Sequence, residues 1–363
     1  MRIDEHVEGG AVTQRADRSS AARGAAAGEA RGEAFESHRA RLVGVAYRML
    51  GSLAEAEDVV QDAWLRLARA DDAGDAGDAG TMASSDVAPR DLGAWLTTVV
   101  GRLALDRLRS ACARREVYVG PWLPEPLVRS PTLEPAAQVE LDDTVRLALL
   151  VVLERLTPEQ RVAFVLHDVL GLPFADVAEV LGTTAAAARQ HASRARRAVQ
   201  DAGPARPVPA ARQQAAVAAF AAATAGGDLG ALVRVLAPDV VLVSDGGGRV
   251  RAALRPVVGA ENVARLLLGL AAQAGEPGAG LLAVPALVND ELGFVVRLER
   301  ADGSVDLSVV VPHVDDAGRV GAVDMIRNPD KLGAVRAWAD EALAAQEALA
   351  PDGSSQTVES VNP

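Results

Sequence analysis

Five prolines fall between residues 116 and 135: Pro121, Pro124, Pro126, Pro131 and Pro135. Each lacks the backbone N–H that a helix interior needs and clashes with the preceding turn, so this density forbids a helix and favours an extended connection. A second proline-rich stretch, Gly203–Pro209, interrupts the chain again. The two interruptions divide 363 residues into three blocks, each able to carry a core of its own. Aromatic residues make up only 3% of the chain, so those cores must be built from Ala, Val and Leu.

The blocks differ in pattern. Residues 1–30, rich in Ala, Gly and charge, read as a disordered leader. In 31–115 the apolar spacing is helical. Leu42, Ala46, Met49, Leu50 and Leu53 share a face, interrupted at Gly51-Ser52. Val60, Ala63, Trp64 and Leu67 stripe a second helix whose outer face, Asp58, Gln61 and Asp62 around Trp64, is acidic and polar. That face suits a protein partner better than DNA, with Trp64 itself a core residue. The repeat at 71–80 reads as a flexible loop. A third helix, Asp91–Ser110, turns Leu96, Val99, Val100, Leu103 and Leu108 inward and Arg102, Asp106 and Arg109 outward, followed by Arg114 and Arg115.

After the linker at 116–139, residues 140–203 form a second helical block. Thr157-Pro158-Glu159-Gln160 is a capping box with proline at the first helical position. Phe174–Leu181 stops at Gly182, and Thr183-Thr184 caps a helix from Ala185 to about Gln200: a helix–turn–helix. Ala188, Ala192, Ala195 and Val199 fall inward. Gln190, Ser193, Arg194 and Arg197 fall outward, flanked by Arg189 and Arg196. Arg and Gln can pair bidentately with base edges, and Ser and flanking Arg suit phosphates.

In residues 204–336 a helix, Gln213–Thr224, precedes strand-like runs at Val240–Ser244, Leu292–Leu298, Ser304–Pro312 and Val320–Ile326, which suggests an α+β domain with an antiparallel sheet. Residues 337–363 read as a polar tail. Asp245-Gly246-Gly247-Gly248-Arg249 must be a tight loop, and Asn328-Pro329 reads as a helix N-cap with proline next.

The formal net charge of −12 argues against a free-standing, charge-driven DNA binder. It leaves room for small basic patches that a larger machine aligns. Cys112 is the only cysteine and no Cys/His cluster has ligand spacing, so neither a metal nor another cofactor is expected. Without a signal peptide or an apolar run long enough to span a bilayer, a cytoplasmic, membrane-free setting is expected.

Asp58 to Leu65, Trp95 to Arg109, and Leu156 through Arg197 together resemble extracytoplasmic-function sigma factors over about 170 residues. The resemblance implies a multidomain protein with all-α region 2 and region 4 domains. Asp58, Gln61, Asp62 and Trp64 would then grip the clamp helices of core RNA polymerase, whose flap is the further contact. Arg102, Asp106, Arg109, Arg114 and Arg115 would read the −10 promoter element. Arg189, Gln190, Ser193, Arg194, Arg196 and Arg197 would read the −35 element. Trp122-Leu123-Pro124-Glu125-Pro126, Asp245–Arg249 and Asn328-Pro329-Asp330-Lys331-Leu332 narrow the resemblance to members with a C-terminal SnoaL-like (NTF2-like) cone domain, which implies regulation within the chain. The expectation is that the two C-terminal loops touch the Trp122–Pro126 linker.

Two other readings exist. A helix–turn–helix regulator with an effector domain leaves residues 35–115 unexplained. An isomerase- or cyclase-like enzyme needs a carboxylate or His in an apolar pocket. Asp245, His313 and Asp324 are conceivable, but no spacing prefers any, so no catalytic residue is assigned. A small-molecule ligand of the C-terminal domain stays open.

Overall fold

A computed structural model of the chain describes residues 8–75, 91–115, 118–131, 146–201, 208–273, 280–300 and 302–349. Three long helices open it: α1 (Glu8–Leu50), α2 (Leu53–Asp75) and α3 (Leu92–Arg115). Helix α1 starts at Glu8, so part of the expected leader is helical, as its alanine content favours. Helix α3 runs on through Arg114 and Arg115, which therefore extend the helix instead of following it. The repeat at 71–80 is helical as far as Asp75, and the rest of it lies outside the described residues.

The linker is extended from Tyr118 and ends in a two-residue strand, β1 (Val128–Arg129). Helix α4 (Leu147–Leu153) follows, and the start of the second helical block, expected at residue 140, lies outside the described residues. Helix α5 (Pro158–Ala163) opens with the full capping box and continues as a π-helical turn, Phe164–Val169. Helix α6 (Phe174–Leu181) is closed by Gly182 in the left-handed conformation at φ 64°. The Oγ1 of Thr184 accepts from the Ala187 N–H at 3.2 Å to start α7 (Ala185–Asp201). Ala188, Ala192 and Ala195 are fully buried, which confirms the inward face.

The third block comprises α8 (Ala210–Ala225), α9 (Leu229–Val235), β2 (Leu236–Asp245), β3 (Val257–Val258), α10 (Ala260–Ala272), β4 (Gly280–Val288), β5 (Glu291–Glu299), β6 (Val305–Val314), β7 (Val320–Ile326) and α11 (Gly333–Leu349). The seven strands form one sheet in the order β1-β4-β5-β6-β7-β2-β3. It is mixed, not antiparallel as expected: the β4–β7 meander carries the chain back beside β2 in parallel. The expected polar tail is also shortened, because α11 places Val335 and Ala339 in a core.

Two cores cover the two faces of the sheet. One face packs on α8, α9 and α10 through Phe220, Leu232, Val263 and Leu267. The other takes Leu123 from the linker, Leu147 from α4, and Leu332, Val335 and Ala339 near the C-terminus. Burying a side chain such as Leu123 or Leu147 contributes about 1.5–3 kcal/mol. The third block therefore depends on apolar residues that the linker and the second block supply.

The first two blocks share a single core as well. It runs from Leu42 and Val60 through Val100 to Leu166, Val180 and Ala192. At the seam between α3 and α6, a Cβ built on Gly101 would lie 3.0 Å from Val180 Cγ1. Arg161, 3% exposed, pairs with Glu154 and donates to the Met49 carbonyl at 3.0 Å.

Candidate functional site

Helix α7 presents Arg189, Gln190, Arg194 and Arg197 to solvent, with Ser193 half-buried beside them. Arg189 lies over the Phe174 ring at 5.0 Å, so its guanidinium is oriented by α6. Arg196 points the other way and pairs with Asp168 at 2.6 Å.

Arg102, Asp106 and Arg109 form the exposed stripe on α3 that their spacing predicts. The two arginines are engaged by the second block: Arg102 with Glu179 at 3.0 Å and Arg109 with Glu159 at 3.0 Å. The side chains of Arg114 and Arg115 lie outside those described. On α2, Asp58 and Asp62 face Arg107 of α3 at 3.8 and 3.4 Å, a partner the sequence reading did not name. Gln61 is exposed, and Trp64 packs on Phe35 with ring centroids 4.9 Å apart.

The three short motifs converge on Asp245, which is fully buried at the end of β2. Its carboxylate accepts from the Tyr118 hydroxyl at 2.6 Å, the Gly247 N–H at 3.0 Å, the Leu123 N–H at 2.8 Å and Lys331 Nζ at 2.7 Å. Four donors match what an ionised carboxylate can accept. The Asp245 carbonyl accepts from the N–H groups of Arg327 and Asn328 at 2.7 and 2.9 Å. Lys331, the only lysine in the chain, also donates to the Leu123 carbonyl and sits 3.9 Å over the Trp122 ring. Arg249 pairs with Asp330 at 3.2 Å on the surface.

The other side of the linker is fastened to the first block. A Cβ on Gly51 would lie 2.8 Å from the Trp122 ring. Glu125 accepts from the Leu53 N–H at 2.8 Å and Ser52 Oγ at 3.1 Å, which satisfies the start of α2. The Tyr47 hydroxyl donates to the Glu125 carbonyl at 2.6 Å and accepts from Asn289 Nδ2 at 2.8 Å. Asn289, in the β4–β5 turn, also accepts from the Leu127 N–H at 3.1 Å and donates its own N–H to the Leu127 carbonyl at 2.9 Å. Tyr118, Tyr47 and Asn289 were missed from sequence. The chain has only two tyrosines, and both hydroxyls serve this junction, which was the available signal. Burial, and then the hydrogen bond to Asp245, push the Tyr118 hydroxyl pKa above its ordinary value, so it stays a donor.

Gly247 shows how tightly the loops meet. At φ +59° its Cβ would lie 2.3 Å from Asn328 Nδ2. Gly247→Ala therefore costs about 1–2 kcal/mol in left-handed backbone strain, before any overlap with Asn328. The expected result is a lower melting temperature and faster tryptic cleavage at Arg129 in the linker, measured on the intact chain.

Of the conceivable acid/base groups, His313 and Asp324 lie on the sheet face that carries Leu123 and Leu147, and Asp245 is consumed by the junction. His313 is held between Asp324 at 2.8 Å and Glu291 at 3.4 Å, and Glu291 also accepts from the Ala148 N–H of α4 at 3.4 Å. Burial lowers its pKa, but the hydrogen bonds and charges of Asp324 and Glu291 outweigh this and push it up to about 10. A raised pKa gives a contribution fully present below the ordinary 6.5 and lost as pH rises toward 10. Thermal stability is expected to decline over that window, and the decline should be absent from His313→Gln, read as melting temperature against pH.

Among the described residues no group of His, Cys, Asp and Glu could hold a metal ion, and no helix is long and apolar enough to cross a membrane.

A helical bundle, a linker and a helix–turn–helix, followed by an α+β domain built on a mixed sheet, define a sigma factor with a C-terminal extension. The Sigma-70 region 2 family matches residues 34–114, and the Sigma-70 region 4 family matches residues 146–199. The chain is 47% identical over 306 residues to the ECF RNA polymerase sigma factor SigJ of Mycobacterium tuberculosis (strain ATCC 25618 / H37Rv), covering 82% of this chain and 92% of that one. To the probable ECF RNA polymerase sigma factor SigI of M. tuberculosis (strain CDC 1551 / Oshkosh) it is 38% identical over 279 residues, 75% of this chain and 89% of the relative. The crystal structure of the extracytoplasmic function sigma factor SigJ matches with a TM-score of 0.63 at 42% identity, covering 83% of this chain and 97% of that one. The chain belongs to the ECF RNA polymerase sigma factors.

Proposed function

We propose that this sigma factor is held by its C-terminal domain in a closed resting arrangement and directs core polymerase to promoters when that arrangement opens. The observation that carries the reading is the single core shared by the region 2 and region 4 blocks, with Arg102 and Arg109 spent on Glu179 and Glu159. The −10 and −35 elements lie more than one DNA turn apart, at about 34 Å per turn. Two blocks packed on one core are too close to read both.

In the open state Arg189, Gln190, Ser193, Arg194 and Arg197 read the −35 element and its phosphates, and release from Asp168 adds Arg196. Arg102, Asp106 and Arg109, with Arg114 and Arg115, engage the −10 element. Asp58, Gln61 and Asp62, beside Trp64, meet the clamp helices, and region 4 meets the flap. The site of action is that of the polymerase, the cytoplasm. Exposed ion pairs such as Arg102–Glu179 contribute about 0–1 kcal/mol each, so the seam is reversible. The Asp245 junction, Trp122–Pro126 and α4 are what fasten it. The protein acts by binding, not by turnover.

Run-off transcription with purified core polymerase tests this, comparing the full chain with a truncation after residue 210. Output is expected to rise severalfold on truncation. Unchanged output would sink the closed-state reading.

A further inference from the structure

The inner face of the sheet is incompletely filled. Between it and the helices α8 and α10 lies a cavity of about 460 Å³, walled by Phe220, Leu267, Phe294, Val296 and Met325. Leu281, Ala283 and Pro285 of β4 face it and remain exposed, Leu281 at 42%. Apolar side chains left accessible on the inside of a folded domain are a place where a ligand completes the core.

The cavity ends at Ser308, Asp306 and Arg327. Arg327 and Met325 are shared with a second recess of about 700 Å³. That recess is lined by Arg251, Arg265, Arg300 and Arg327, and no carboxylate lines it among the described residues. Arg300 and Arg327 both pair with the one carboxylate of Asp306. Two guanidiniums on one carboxylate leave a net positive charge at a largely buried junction, with Arg327 only 8% exposed. Burial lowers the Arg327 pKa, Asp306 raises it and Arg300 lowers it again, as expected of a cation whose charge is incompletely balanced. Such a site is relieved by an anion from outside the chain.

We infer that the C-terminal domain binds a single-chain anionic amphiphile, its hydrocarbon tail in the apolar cavity and its carboxylate or phosphate head against Arg327, Arg300 and Arg251. The walls argue against a nucleotide: among the described residues Thr224 and Ser308 are the only uncharged polar side chains on the cavity, too few to pair a base edge. Asp306, clamped by two arginines, holds the head-group arginines in place. The inference stands apart from the closed-state reading, since it concerns binding alone.

The test is isothermal titration of the full chain with dodecanoate, dodecyl phosphate and dodecanol, each below its micelle concentration. One-to-one, saturable binding is expected for at least one anion, with dodecanol at least tenfold weaker; the two anions tell which head the site takes. Arg300→Gln should weaken the anion about tenfold and leave dodecanol unchanged. Ala283→Phe should abolish binding of all three with an unchanged melting curve, and Leu281→Trp at the mouth serves if Ala283→Phe does not fold. Equal affinity for dodecanol and the anions would overturn the inference. So would absence of saturable binding, or binding that survives the cavity-filling variant.

Discussion

Replacing Asp245 with alanine is expected to release the linker from the C-terminal domain. The substitution strands four donors at once: the Tyr118 hydroxyl, the Gly247 N–H, the Leu123 N–H and the Lys331 ammonium. Removing one partner of a buried ion pair costs about 3–5 kcal/mol, because the other charge is left uncompensated. That corresponds to a fall in melting temperature of roughly 10 °C for a domain of this size. Because Lys331 is the only lysine, the junction has its own reporter. A lysine-directed acylating reagent should label Lys331 slowly in the native chain, where its side chain is 11% exposed, and rapidly in Asp245→Ala. Equal labelling rates would show that the carboxylate does not hold the junction.

The second large effect is expected at the seam between regions 2 and 4. Gly101 lies buried on α3, with Val180 of α6 against it and Leu166 at 3.5 Å from its built Cβ. Gly101→Leu places a full side chain where there is no room. It should leave α3 itself intact, since leucine favours a helix interior over glycine by nearly 1 kcal/mol. The strain therefore falls on the contact between the blocks, where it should exceed the surface ion pairs Arg102–Glu179 and Arg109–Glu159. Promoter DNA binding by the isolated factor is expected to rise about tenfold in fluorescence anisotropy, as both arginines become available. Unchanged affinity, with helical content preserved, would mean that the seam does not restrict DNA access.

Much of the helical part was legible because its signals are local. The capping box at Thr157, Gly182 at the end of α6 and the alanine spacing of α7 each act within one or two turns. Strand β4 was hidden for a comparably local reason. Its run is apolar without clear alternation and contains Pro285, which argues against a central strand. The structure resolves this: among the described residues β1 pairs only with Leu287 and Val288, so β4 has no strand partner on that side at Pro285 and no ladder bond is lost there. Helix α10 also escaped notice, as did the parallel placement of β2 beside β7, which no local pattern encodes.

The Asp245–Arg249 and Asn328–Leu332 loops were legible as motifs, and their meeting with Trp122–Pro126 was expected. Tyr118, Tyr47 and Asn289 were not. Tyr118 binds a residue 127 positions away, and Asn289 and Tyr47 are 242 apart. Nothing in their neighbours along the chain marks them as partners.

By itself the amino-acid sequence determined the order of the blocks, the inward and outward faces of their helices, and the proline linker between them. Backbone sterics, capping and apolar periodicity are short-range and can be read in order. Only the tertiary structure decided that the linker is a docked strand, that its Leu123 completes the C-terminal core, and that the α3 arginines are occupied by region 4 carboxylates. An exposed arginine has the same spacing whether it faces solvent, phosphate or a glutamate. Which of these it meets is set by how the blocks pack.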